Sequence, residues 1–157
     1  MADYLLDLIR RDLRLPSRRE WLERLATREP VVVDASALVE LLLQRERAPA
    51  VLQAVGETQL VAPDVINPEV LWALRRRERT GNLGADRARQ AVEDLLDAPL
   101  RRFPTLELLP VVWRLRANVT SYDACYVALA RELGCALVTA DRRLSRAPKL
   151  GVPLVSV

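Results

Sequence analysis

Val31-Val32-Val33-Asp34-Ala35-Ser36-Ala37-Leu38 decides the fold of this chain. Three β-branched residues make a run too short for a helix and stiff enough to favour a strand. The run is apolar at every position, with no alternation of polar and apolar side chains. Both faces of such a strand are buried, as in a parallel sheet covered on both sides. Helix-compatible residues follow at once, and the spacing of Leu38, Leu41 and Leu42 predicts a helix over about 35–44. Asp34 falls at the junction, in apolar company, where a carboxylate needs a partner and a cation is a good one.

The same alternation repeats outward. A helix is expected near 48–56, a strand at Leu60-Val61-Ala62, and a helix opening at Pro63-Asp64 with Glu69 near its start and Val70, Leu71 and Leu74 inward. Thr80-Gly81-Asn82-Leu83-Gly84 is a break. A helix over 85–97 buries Ala88, Ala91, Val92, Leu95 and Leu96, and Arg101-Arg102-Phe103 reads as an edge strand. Helices over 105–116 and 121–133 follow, the second after a turn and a Ser121 cap and closed by Gly134. Ala136 to Thr139 reads as a strand, Asp141 starts a short helix, and Val152 to Val155 is a terminal strand. Strands alternating with helices imply a parallel sheet covered on both faces. Ahead of it, residues 1–15 and a segment opening at the capping box Ser17-Arg18-Arg19-Glu20 read as two amphipathic helices.

Composition narrows the chemistry. The 157 residues, 50% hydrophobic, suit one domain with a short extension. There is no histidine, which removes histidine bases, serine–histidine catalysis and ordinary zinc sites. Acid–base or metal chemistry must then rest on carboxylates, whose hard oxygens select magnesium or manganese. Cys125 and Cys135 lack metal-ligand spacing and read as reduced, buried thiols of a cytoplasmic protein. No apolar run reaches the length of a membrane span, and the acidic start is unlike a secretory signal. The net charge is +3, and all basic residues but Lys149 are arginine, which is compatible with a phosphate-bearing partner.

Four acids fall where a ligand would bind. Asp34 directly follows the first strand and Asp141 lies two residues beyond the strand ending at Thr139. Asp123 and Glu69 occupy first turns of helices. In open α/β sheets ligands bind beyond the carboxyl ends of the strands, so the four can meet on one edge. Each also has a plainer reading as a helix cap or dipole partner. Several carboxylates at close quarters cannot all stay ionised without compensation, and a divalent ion supplies it. Thr139 and Ser36 are placed to hydrogen-bond those acids, with simple backbone capping the alternative for both. Arg142 and Arg143 are candidates for contacts to a nucleic-acid backbone, or simply a solvated helix face. Tyr122 is expected in the core, with base stacking as the alternative.

The motifs Val-Val-Val-Asp34-Ala-Ser-Ala-Leu, Pro63-Asp-Val-Ile-Asn-Pro-Glu69-Val-Leu, Thr120-Ser-Tyr-Asp123-Ala-Cys-Tyr-Val-Ala-Leu-Ala and Leu137-Val-Thr-Ala-Asp141-Arg-Arg-Leu together resemble the PIN-domain ribonucleases. They are most similar to the VapC toxins of bacterial toxin–antitoxin modules, over about 31–157. The resemblance implies an α/β fold with a five-stranded parallel sheet flanked by helices. It implies hydrolysis of RNA phosphodiesters with magnesium or manganese, usually by a homodimer. Asp34 and Asp123 would be the foremost metal ligands, with Glu69 and Asp141 completing the cluster. Residues 1–30 depart from the pattern and resemble the toxin-binding tail of a VapB-type antitoxin. The expectation is that this helical segment lies on the nuclease, with an arginine among Arg10, Arg11, Arg14, Arg18, Arg19, Arg24 and Arg28 approaching the acids; an ordinary amphipathic extension is the alternative.

Two rivals remain. A catalytically silent interaction module of the same fold is disfavoured because none of the four acids is replaced. A phosphatase of the class with two aspartates on its first strand is disfavoured because Ala35-Ser36 follows Asp34. Dinucleotide binding lacks a G-x-G-x-x-G after any strand.

Overall fold

A computed structural model describes residues 29–157. The helices expected within residues 1–30 lie outside the described residues; of that stretch only Glu29 and Pro30 are described, and Pro30 already belongs to the first strand.

Five strands form one sheet: β1 (Pro30–Val33), β2 (Gln59–Pro63), β3 (Leu100–Phe103), β4 (Leu137–Thr139) and β5 (Leu154–Ser156). All pair in parallel in the order β3-β2-β1-β4-β5. Between them run α1 (Ala35–Leu42), α2 (Ala48–Val55), α3 (Ile66–Arg79), α4 (Ala85–Asp97), α5 (Leu109–Arg114), α6 (Ser121–Leu133) and α7 (Arg142–Ser145). Helices α1 to α4 pack on one another, while α5 packs on α6 and α6 lies against β1 and β2. This is the five-stranded parallel sheet flanked by helices that Val31-Val32-Val33 implies. That run forms the central strand, and Val32 and Val33 are completely buried. No helix among the described residues is long and apolar enough to cross a membrane.

The order has one consequence for the site. From β1 the chain builds outward through β2 to β3, then crosses back to lay β4 and β5 on the other side. The reversal falls between β1 and β4, so the crevice beyond their carboxyl ends is the topological switch point where open α/β sheets bind ligands.

Several boundaries differ from expectation for identifiable reasons. Pro63 closes β2 rather than opening a helix, because the Asp64 N–H donates to the Phe103 carbonyl at 2.8 Å and prolongs the ladder; α3 starts at Ile66. The helix expected over 105–116 splits into a 3₁₀ turn, Thr105–Leu108, and α5, because Pro110 has no N–H for the preceding turn. The cap of α6 is Thr120, not Ser121. The last strand begins at Leu154, since Leu137 pairs with Leu154 and takes the Pro153 carbonyl as acceptor. Leu71 and Leu96, expected inward, face solvent one position beyond the buried Val70 and Leu95. Both cysteines are free, Cys125 buried and Cys135 half-buried.

Candidate active site

Register places the first acid. Val33 pairs with Val138, and the Asp34 N–H continues the ladder to the Val138 carbonyl at 3.1 Å. Asp34 therefore stands beside Thr139 at the carboxyl ends of the two strands bordering the switch point. Only 4% of it is exposed, and three donors hold its carboxylate. Ala37 N–H donates to Oδ1 at 2.8 Å, Ser36 Oγ to Oδ1 at 2.7 Å, and Thr139 Oγ1 to Oδ2 at 2.5 Å. Ser36 Oγ also accepts from the Ala140 N–H at 2.9 Å, and Thr139 Oγ1 from the Asp141 N–H at 3.0 Å. The two hydroxyls thus bind the β1–α1 junction to the β4–α7 junction. Asp34 is itself the N-cap of α1, so Ser36 does not cap the backbone there; its hydroxyl holds the Asp34 carboxylate and accepts from the Ala140 N–H.

Asp123 is three residues into the Thr120-capped end of α6. Thr120 Oγ1 donates to Asp123 Oδ2 at 2.8 Å and accepts from the Asp123 N–H at 3.2 Å, so cap and acid fix each other. Glu69 lies in the first turn of α3, and the Tyr126 hydroxyl donates to its Oε2. Asp141 caps α7, accepting from the Arg143 N–H at 2.7 Å and standing 3.3 Å from the Arg143 guanidinium. Among the described residues, no hydrogen bond engages Glu69 Oε1 or Asp123 Oδ1, which leaves two acceptors open.

The four acids share one electrostatic field. Burial pushes Asp34 from its ordinary 3.8 up to about 6; the three donors counteract this, and the charge of Asp123 adds to it. Burial also raises Glu69, with Asp123 and Asp34 adding to the shift and the Tyr126 bond opposing it. Asp123 is raised by burial and then by Asp141, against the Thr120 bond. Asp141 alone is lowered: burial pushes it up, but the backbone and guanidinium of Arg143 outweigh that. The field reaches Cys125, whose thiol burial and the charges of Glu69, Asp64 and Asp123 push up to about 11.

All four offer hard oxygen donors, and their mutual repulsion is of the kind a divalent cation relieves. In the arrangement observed, no three Asp, Glu or Cys side chains among the described residues already form a ready-made ligand set. Donor type, open acceptors and shared field fit a hard divalent ion, while each carboxylate is at present held by a hydroxyl or N–H of its own neighbourhood.

A groove of about 1070 Å³ opens over this edge and takes in Glu69 and Asp141. Its rim carries Arg47, Arg76, Arg77 and Arg142. Arg47 is fixed there by bonds to the Ala140 carbonyl at 2.8 Å and the Val157 carbonyl at 3.2 Å. Tyr122, expected in the core, lines the groove and is 57% exposed, because it stands in the first turn of α6, ahead of the run from Ala124 to Ala130 that is buried on every side. Four contributors escaped the sequence reading. Tyr126 sits three residues after Asp123 in an apolar run, and a buried phenol needs an acceptor. Glu40, a buried acid in the groove wall paired with Arg45 at 3.2 Å, is a lone charge amid leucines. Trp72 lies one turn beyond Glu69. Nothing local to the sequence marks Arg47.

Fold and site define a class: a parallel α/β protein with electrostatically coupled acids at its switch point and arginines along the groove beside them. The chain belongs to the PIN-domain family, whose profile matches residues 31–150. Ribonuclease VapC9 of Mycobacterium tuberculosis is 39% identical over 127 residues, 81% of this chain and 98% of that protein. Ribonuclease VapC3 of the same species is 41% identical over 120 residues, 76% of this chain and 88% of the relative. Among solved structures, a protein of Pyrobaculum aerophilum superposes with a TM-score of 0.57 at 27% identity, covering 80% of this chain and 83% of its own.

Proposed function

We propose that this chain is a magnesium- or manganese-dependent ribonuclease that hydrolyses RNA phosphodiesters, and the toxin of a type II toxin–antitoxin pair. The observation that carries the reading is the placement of Asp34, buried at the carboxyl ends of β1 and β4 beside Thr139, where acids from distant stretches, Asp123 and Glu69, feel one another's charge.

Asp34 and Asp123 would hold the ion, with Glu69 and Asp141 completing its surroundings. When bound, the ion supplies a water of lowered pKa and offsets charge on the scissile phosphate. The protein's own part is positioning. Ser36, Thr139 and the Ala37 N–H fix both oxygens of Asp34; Thr120 fixes Asp123; Tyr126 fixes Glu69 through one of its oxygens. Burial beneath α1 keeps Asp34 dry, which strengthens its pull on a cation. Arg76, Arg77 and Arg142 on the rim would hold the RNA backbone through phosphate contacts, which position without reading sequence.

The reading extends to partners: a VapB-type antitoxin, a second copy of the chain, and a cytoplasmic setting in which RNA is met. It also extends to residues 1–30 as a built-in antitoxin-like segment whose arginines restrain the acids.

Cleavage of a short single-stranded oligoribonucleotide tests the core of the proposal. Product forms with manganese, disappears in EDTA, and is absent for Asp123→Asn under all conditions. Cleavage that survives both EDTA and the substitution overturns the reading.

A further inference from the structure

The groove holds more than charge. Trp72 lines it and is 61% exposed, an unusual state for the side chain with the most apolar surface to hide. It sits three residues after Glu69 on α3, so the two side chains emerge on neighbouring parts of one helix face, about 5–6 Å apart at Cβ. The Arg76 guanidinium lies over the indole, 5.4 Å from the ring centroid. That contact restrains the ring and puts a cation beside it. Tyr122, next to Asp123 in sequence, presents a second exposed ring in the same groove.

Packing does not explain Trp72. An apolar face seeking a core would not be interleaved with Arg76, Arg77 and Arg142. The combination of an exposed indole, arginines in the same groove and the acids Glu69 and Asp141 beside them matches the needs of a nucleotide strand, in which a charged backbone and a flat apolar base must be met together.

We propose that Trp72, held by Arg76, is a stacking platform for the base next to the phosphodiester at the acid cluster, and that it gives the enzyme a preference for a purine at that nucleotide. This rests on the ribonuclease reading and deepens it. A platform of this kind has no hydrogen-bonding pattern to read, so discrimination comes from ring area alone, and purines offer more than pyrimidines. A base can reach the platform only when unstacked, so the strand must be single at that point.

Trp113 serves as an internal control. It is as exposed as Trp72 and carries its own arginine, Arg116, 4.7 Å from its ring, but it lies on α5 and does not line the groove. The experiment uses the full chain and fluorescein-labelled oligouridylates, with or without one central adenine. Binding is followed by anisotropy in EDTA, and cleavage positions are mapped with manganese. The wild type binds the adenine-bearing strand more tightly and cuts beside the adenine. Trp72→Ala weakens binding of that strand roughly 5- to 150-fold and spreads its cuts, Trp72→Phe keeps most of both, and Trp113→Ala matches the wild type. Wild-type indifference to the adenine, or a Trp72→Ala protein that keeps the preference, overturns the platform and leaves the nuclease reading intact if manganese-dependent cleavage persists. A wild type that neither binds nor cuts any strand overturns both.

Discussion

Replacing Asp34 with asparagine separates what the site needs from what the fold prefers. Burial lifts the Asp34 carboxyl from 3.8 to about 6. Each unit corresponds to about 1.4 kcal/mol, so holding this group ionised costs the folded chain about 3 kcal/mol once the pH is well above 6. The sign follows from proton binding. Folded Asp34 holds its proton more tightly than the unfolded chain does, so its contribution to stability falls as pH rises from 3.8 to about 6, then stays low. Asparagine keeps the shape and removes the charge. Its Oδ1 still accepts from Ser36 and Ala37, but its amide nitrogen faces Thr139 Oγ1, which must turn from donor to acceptor. Thr139 can then donate to Ser36 Oγ only across 3.4 Å, a poor bond whose weakness offsets about 1 kcal/mol. Asp34→Asn should therefore gain about 1–2 kcal/mol at pH 8, or roughly 2–8 °C in Tm for a domain of this size. At pH 4.5 the gain should vanish, because the wild-type carboxyl is then protonated. Urea unfolding in EDTA at the two pH values measures it, and the same variant should not cleave RNA. A variant less stable than wild type at pH 8, or a gain identical at both pH values, would refute the reasoning.

Tyr126→Phe keeps the ring but removes the hydroxyl from Glu69, which should cost about 1 kcal/mol at pH 8 by urea unfolding. Losing a donor to the charged form raises Glu69 further, so the acid limb of the cleavage pH profile should move to higher pH; an unmoved limb would deny Tyr126 its part. Deleting residues 2–29 should raise the cleavage rate several-fold if the N-terminal arginines restrain the acids, and a rate unchanged or lowered removes that part of the proposal.

Much of this was readable from local sequence. Val31-Val32-Val33-Asp34 marks a strand buried on both faces and an acid at its end, because burial and β-branching act within a few residues. The helices at 85–97 and 121–133 carry strong periodicity and clear ends. Harder to read was whatever depended on neighbours distant in sequence. Pro63 was assigned to a helix because its role in β2 rests on a bond from Asp64 to Phe103. Helical spacing puts Tyr122 on the same face as Tyr126 and so in the core; it does not show that the first turn of α6 runs out past the packed layers, which leaves Tyr122 exposed. Glu40 and Arg47 join the groove only once α1 and the β4–α7 junction come together. The separate acids were evident, but the partners that hold each of them were not, apart from Ser36 and Thr139, which lie beside acids in the sequence itself.

The bond from Thr139 to Asp34 spans 105 residues. On a ribosome adding about 5–20 residues per second, β1 waits roughly 5–20 seconds for its last neighbour to be made. Until β4 docks, Asp34 lacks a donor and Asp141 has no fixed place. A nascent chain carries its first acid long before it owns a working pocket, so no chemistry at this site can begin before the strand that brings Thr139 and Asp141 has been made.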